Sequence, residues 1–593
     1  MSEKTRQKTA IVIGAGVGGV STAARLAHAG FHVTVLEKNS FTGGRCSLIK
    51  TDSGYRFDQG PSLLLLPRLF HQTFEELGTT LEKEGVELRK CEPNYRIWFG
   101  DGVDFEMSTD LTRMKTEIEK WEGKDGYERY LGWLQESHRH YELSVEHVLL
   151  KNFTSLADML RPSFLMHLFT LHPFESIWTR AGKYFWTERM KRVFTFGNIG
   201  ERKGVEYKLN SAVSKIVLDD KGSRAVGVEI EGGDVMRADV VINNSDLVYA
   251  YTSLLATSPS ASPTPYAESL AKRPASCSSI SFYWGLSQKV PGLEAHNIFL
   301  ADEYKKSFDA IFKKHLIPDA PSFYVNVPTR VDASAAPEGK DSVVVLVPVG
   351  HLLDGPSAAE KEGVVADGPT TDGELKGGTT SETIKSVSPY KQTGIQPSNV
   401  QDWPAMIALA RQTIISTIQT RTGVDLGPLI VHEETNDPIT WKQKFNLDKG
   451  AILGLSHSFF NVLSFRPSTR ARKGSPFLDG RFGGGVPGRL SELVGDLGRW
   501  DRDIKGLYMV GASAHPGTGV PICLTGGKLV AEQVLQDLRV QVPWEGKKER
   551  VRRIGKLDRE ERPMPLGLDS EFMSIVAVIV WAVAIYICAV IYI

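Results

Sequence analysis

Three glycines and one carboxylate near the start of the chain are spaced to hold a diphosphate. In "TAIVIGAGVGG", Gly14, Gly16 and Gly19 fill the G-x-G-x-x-G positions. The first permits a tight turn, the second lets backbone approach a pyrophosphate, and the third lets helix and strand pack closely. Glu37 follows eighteen residues after Gly19, at the end of the next apolar run. A carboxylate there is placed to hydrogen-bond a ribose diol and to repel a 2′-phosphate, which excludes NADP. The chemistry this supports is electron transfer by an adenine dinucleotide. Nicotinamide and flavin dinucleotides share these requirements, so the motif leaves both open.

The elements that must position these residues are legible around them. "TAIVIG" is β-branched and reads as a strand, "VSTAARLAHAG" as a small-residue helix closed by Gly30, and "HVTVLE" as a second strand. This is a βαβ unit whose helix N-terminus offers free amides and a positive dipole end to a phosphate. Residues 205–246 alternate apolar and polar positions with turns at "DKGS" and "EGGD", and predict strands and hairpins ending on the buried strand "DVVIN". Residues 110–196 carry helical periods, and their later part, "LRPSFLMHLFTLHPFESIWTRAGKYFW", is either an apolar surface or a core helix pair. Residues 354–389 have no aromatic residue and read as a mobile loop.

Three further segments decide between the dinucleotides. "NSFTGGRC" brings Gly43, Gly44 and Arg45; "RFDQGPSLLLLP" follows; and "GLYMVGASAHPGTGVPICLTGGKLVAEQVL" (506–535) reads as strand, Gly/Pro-rich turn and a helix opening near Gly519. A large cofactor touched by both ends of the chain fits this arrangement. With "SHSFFNVLSFRP" (456–467), these segments resemble the flavin amine oxidase superfamily and, within it, the bacterial and fungal phytoene desaturases. The resemblance implies FAD extended along a Rossmann-like domain. Gly14, Gly16, Gly19 and Glu37 would contact adenosine and pyrophosphate, Gly44 and Arg45 would stand beside the cofactor, and Gly511, Pro516, Gly517 and Val520 would lie near the flavin.

The implied fold class is α/β: a Rossmann-like FAD-binding domain (9–110, 201–255 and 500–540), a helical region (111–200), an α+β substrate domain (256–470) and a C-terminal transmembrane helix (573–593). The implied activity is stepwise dehydrogenation of phytoene toward lycopene and 3,4-didehydrolycopene, with carotenoid intermediates as partners and dioxygen or a quinone as electron acceptor. No catalytic triad is expected, because the cofactor carries the difficult step. His457 and His515 lie in matching segments; either could move a proton, and a structural role is the expected one.

Two departures from the family pattern stand out. "RMKRVFTFGN" runs directly into "IGERKGVEY", so some tens of residues, including a "YPxGG"-like segment, are missing after Asn198. An insertion, "ARKGSPFLDGRFGGGVPGRLSELVGDLGRWDRDIK", precedes Gly506. The missing segment keeps a catalytically silent, membrane-tethered flavoprotein in view. A second competitor is an amine or porphyrinogen oxidase of the same superfamily.

The whole-chain properties agree. At 593 residues the chain exceeds one compact core. Lys plus Arg and Asp plus Glu both total 70, which removes any electrostatic reason to expect nucleic acid. Five scattered cysteines without CxxC spacing argue against a disulfide framework or a zinc site. Met573–Ile593 is uncharged and as a helix would span about 31 Å, the thickness of a hydrocarbon core. The basic tract "KKERVRRIGKLDREERP" before it predicts a cytosolic body hung from a membrane, such as the endoplasmic reticulum, with membrane lipid as partner.

Overall fold

The computed structural model describes residues 6–153, 166–167, 170, 172, 175–194, 207–256, 264–353, 401–456, 466–472 and 503–544. The expected loop 354–389, the tail helix 573–593, His457, the junction after Asn198 and most of the insertion lie outside the described residues. Among the described residues, no helix is long and apolar enough to cross a membrane.

The first layer is a six-stranded sheet ordered Arg470–Arg472, Asp503–Met509, Val240–Asn243, Thr9–Ile13, His32–Leu36 and Tyr207–Lys208. All its pairs are parallel except the edge pair Arg470–Arg472 with Asp503–Met509. Central parallel strands are covered on both faces, and the sequence shows it in continuous apolar runs. Ala10, Val12, Val33, Val35, Val240 and Ile242 pack under helices Val17–His28 and Val520–Asp537. Ile11, Ile13, Leu36 and Val241 face the other way, against the three-stranded sheet of Val213–Leu218, Ala225–Ile230 and Val235–Arg237.

The two helices on this sheet come from opposite ends of the chain and cross closely. Ser21 Oγ donates to the Leu524 carbonyl at 3.0 Å, and a Cβ on Gly527 would stand 2.6 Å from Ser21 Cβ. Beneath them, Glu76 at the end of helix Pro67–Glu76 accepts from Arg25 Nη2 at 3.1 Å and from Lys528 Nζ. All three side chains are buried.

The second layer is a seven-stranded sheet ordered Ile430–Asn436, Ser278–Leu286, Asp341–Val349, Phe323–Asn326, His296–Phe299, Tyr95–Trp98 and Asp104–Met107. Along Ser278–Leu286, residues Ile280, Phe282, Trp284 and Leu286 enter a core closed by helix Trp403–Thr422. The strand period of two therefore sends Ser279 and Ser281 to the opposite face, where they line a cavity. Residues 95–107, grouped above with the nucleotide domain by sequence, pair into this second sheet through Asn297↔Arg96. Beyond them, helices Leu111–Glu122 and Gly126–Ser144 cover Ile97, Phe105, Phe185 and Ile298. Of the aromatic stretch before residue 187, Phe185 is thus core, while Trp186 is exposed under the Arg129 guanidinium, 3.6 Å from its ring centroid.

The insertion expected from the sequence is described only at its two ends. Arg472 pairs with Asp503 in the antiparallel edge, so the described residues on either side of 473–502 lie on neighbouring strands.

Candidate active site

The first turn is built by backbone geometry. Gly14 has φ +90°, a conformation that strains any residue with a Cβ, and its N–H donates to the Leu36 carbonyl at 2.8 Å. Gly19 is needed for a different reason: a Cβ there would stand 2.3 Å from the Gly14 carbonyl oxygen. Glu37 is buried, and its Oε2 accepts the Ala15 N–H at 2.8 Å while Oε1 accepts from Asn39 N at 3.0 Å. The carboxylate therefore fixes the turn and still faces the cavity.

Two other segments close on this turn. Gly43 N–H donates to the Ala15 carbonyl at 2.9 Å, laying "FTGGR" beside Gly16. At the far end of the chain, Val510 N–H bonds the Asn243 carbonyl at 2.9 Å, and the chain then turns at Gly511. Buried Arg466 donates through Nε to the Ala514 carbonyl at 3.1 Å and through Nη2 to the Ala512 carbonyl, holding the turn open. Burial lowers this guanidinium to about 10.

These segments form one end of a cavity of about 630 Å³. Gly14, Gly16, Glu37, Gly44, Arg45, Gly511 and Val520 line it. Gly19, Pro516 and Gly517 stand behind the wall, and Pro516 packs towards Gly526 in the last helix. His515 is also off the cavity: it is buried, with Nε2 against the Lys151 carbonyl at 2.8 Å and its ring against Phe153. The helices beginning at Val17 and Val520 both start at this end, so their unpaired amides make it attractive to an anion. A Cβ on Gly16 would come within 2.9 Å of Asn244 Nδ2, so the wall is shaped by missing side chains. The residues present fit a dinucleotide with a diphosphate at the first turn.

Sequence reasoning passed over the contribution of Asn244, Ser245 and Asp246. The signal was the buried strand "DVVIN": running parallel beside Thr9–Ile13, it delivers its C-terminal residues to the same edge of the sheet. Asn244 Nδ2 donates to the Gly14 carbonyl at 3.2 Å. Asp246 caps the following turn through the Val248 and Tyr249 amides and is pushed up to about 6, chiefly by burial, with Asp448 adding to the rise and Arg45 opposing it. Helix Tyr304–Phe312 and the second sheet add Phe308, Ile311, Phe312, Leu346 and Pro348 to the cavity wall, with Ser279 and Ser281 in register beside the last two.

Residues 12–77 match a family of NAD(P)-binding Rossmann-like domains. Over 621 aligned positions the chain is 60% identical to a phytoene desaturase of Cercospora nicotianae, covering 97% of each. The chain belongs to the phytoene desaturase family. The family is one of oxidoreductases, and the relatives extend beyond one close neighbour. A phytoene desaturase of Fusarium fujikuroi is 54% identical over 91% of each chain, and a zeta-carotene-forming phytoene desaturase of Myxococcus xanthus is 31% identical over 90% of this chain and 95% of its own. The 621 positions aligned with the Cercospora protein exceed the 593 residues of this chain, so this phytoene desaturase family member lacks residues that the relative has.

Proposed function

We propose that the chain is an FAD-dependent phytoene desaturase that dehydrogenates 15-cis-phytoene stepwise toward lycopene and 3,4-didehydrolycopene. The observation that carries this is one cavity whose wall joins the glycine-lined, amide-rich first turn to apolar side chains such as Phe308, Ile311 and Leu346. The first suits a diphosphate and the second a hydrocarbon. Bound FAD would supply hydride acceptance. Gly14, Gly16 and Glu37 would hold its adenosine diphosphate half, Gly44 and Arg45 would flank it, and Gly511 and Val520 would approach the ring, with Gly19, Pro516 and Gly517 setting the turns from behind. The chain's own part is to orient the polyene and keep water from the reacting carbons. The enzyme would return to its starting state through dioxygen or a membrane quinone.

Membrane lipid is the proposed source of the substrate. Phe308 and Phe312 lie one turn apart on helix Tyr304–Phe312, line the cavity, and are 43% and 50% exposed. Lys305, Lys306, Lys313 and Lys314 flank them, with Lys306 and Lys313 paired to Glu303 and Asp309, which leaves a modest positive excess toward an anionic bilayer surface. The apolar tail 573–593 and the basic tract before it support a body on the cytosolic face of that membrane. The test is expression in a host that accumulates phytoene, with pigment spectra and flavin analysis. Coloured polyenes are expected. A chain that binds flavin and forms none is the silent flavoprotein instead.

A further inference from the structure

We propose that Tyr324 and His296 form a proton-accepting pair in the cavity wall, with Tyr324 receiving the proton that leaves the substrate and His296 receiving the one that Tyr324 gives up. The inference rests on the reading of the chain as a desaturase and adds the residues that serve its proton.

The pair is placed by strand register. His296 stands opposite Asn326, and Ile298 opposite Tyr324, on neighbouring antiparallel strands. Phe323 and Val325 fill the core on one face, so Tyr324 and Asn326 share the other. Tyr324 lines the cavity, and His296 lies behind it, 2% exposed. Tyr324 Oη and His296 Nδ1 are 2.6 Å apart.

The surrounding bonds assign the direction. Asn326 Nδ2 donates to the Ala295 carbonyl at 2.8 Å, which points its second hydrogen at His296 Nδ1, 3.3 Å away. Nδ1 therefore carries no hydrogen of its own: its one lone pair accepts chiefly from the nearer Tyr324 hydroxyl, with Asn326 Nδ2–H as the longer second donor, and Nε2–H faces Cys91 Sγ at 3.4 Å. The Tyr324 oxygen then has the Ser62 hydroxyl, which lines the same cavity, as a neighbouring donor and keeps a second lone pair. Burial lowers His296 to about 4 and raises the Tyr324 phenol well above its ordinary range, so at neutral pH both are uncharged. The titratable groups facing the pair are Tyr95, Cys91 and Asp58.

The step balances. Dehydrogenation breaks one C–H bond on each of two adjacent carbons and forms a C=C bond between them. One hydrogen leaves with its electron pair to the flavin of the proposed reading. The other leaves as a proton to Tyr324 Oη while the Tyr324 proton moves to His296 Nδ1, and the C–H electrons become the new π bond. A carbon beside one that has lost hydride is strongly acidic, so a weakly basic imidazole suffices.

The test uses the flavin-loaded protein with phytoene in liposomes, under anaerobic conditions. It reads flavin bleaching in a single turnover, the flavin spectral change on phytoene binding, and flavin content. Tyr324→Phe is expected to keep its flavin and the binding change, and to bleach on the order of 100-fold more slowly. The parent should slow as pH falls toward about 4, where His296 takes up a proton before the reaction. His296→Asn should be slow throughout and lack that limb. Tyr324→Phe bleaching within about twofold of the parent, or His296→Asn keeping the acid limb, overturns the pair. Loss of flavin or of the binding change in both variants makes the residues structural and overturns it as well. A parent that does not bleach with phytoene overturns the desaturase reading too, whereas a bleaching parent beside an equally fast Tyr324→Phe overturns this inference alone.

Discussion

Replacing Glu76 with Gln removes the carboxylate that accepts from both Arg25 and Lys528 and so joins helices Val17–His28, Pro67–Glu76 and Val520–Asp537. The carboxylate accepts from Arg25 at 3.1 Å and from Lys528, and these residues are 1%, 6% and 8% exposed for Arg25, Lys528 and Glu76. Glutamine keeps the shape but turns an NH2 toward a cation and leaves two buried positive charges together. Breaking a buried pair this way costs about 3–5 kcal/mol. Because Glu532 also attracts Arg25, the lower end, about 3 kcal/mol, is expected. Lys528→Met, which keeps the Arg25 pair, should cost less, and adding it to Glu76→Gln should recover part of the loss. The pH dependence follows from the same contacts. Burial alone would raise the Glu76 carboxyl, but Lys528 and Arg25 together hold it below its ordinary value. A carboxyl depressed in the folded state contributes stability above its unfolded pKa, near 4.3, and loses it as pH falls through the folded value. Urea unfolding of the flavin-loaded proteins, followed by circular dichroism and flavin fluorescence, should therefore show a gap at pH 7 that narrows below about pH 4. A variant within about 0.5 kcal/mol of the parent at pH 7, or a gap that persists into acid, would refute the reasoning.

Gly19→Ala should destabilise the apo protein by about 1–3 kcal/mol or more, because its Cβ meets the Gly14 carbonyl at 2.3 Å and backbone cannot swing aside. Thermal unfolding without flavin checks this; an unchanged midpoint would mean that the turn has room. Phe308→Asp with Phe312→Asp should weaken sedimentation with phosphatidylserine vesicles while leaving flavin content intact, since both rings are at the cavity rim. Equal sedimentation of parent and variant counts against the lipid face.

The sequence exposed those parts of the site whose geometry is local. The turn at Gly14, the strand pair around it and the helix opening after Gly519 each depend on a few adjacent residues, and each is found where it was expected. Asn244 and Asp246 were not legible, because they arrive by the order of strands in a sheet, which periodicity does not state. Residues 95–107 show the same limit: they read as strands, but nothing local names the sheet that takes them. His296 and Tyr324 are twenty-eight residues apart and meet only through register. His515 carried the opposite risk. It stands in a motif-rich segment, yet its ring faces a carbonyl and a phenylalanine away from the cavity.

The crossing of helix Val17–His28 with helix Val520–Asp537 also sets an order of events during synthesis. A ribosome releases the first turn early, but the Asp503–Met509 strand and the helix that completes the wall come more than four hundred and fifty residues later. At roughly 5–20 residues per second, that interval lasts tens of seconds; the Val240–Asn243 strand arrives within it to cover Thr9–Ile13, but its own outer edge and one face of helix Val17–His28 wait for Asp503–Met509 and Val520–Asp537. Tight capture of a cofactor must therefore follow completion of the strand order, and a chain halted anywhere before Val520 would expose an apolar sheet rather than a half-built enzyme.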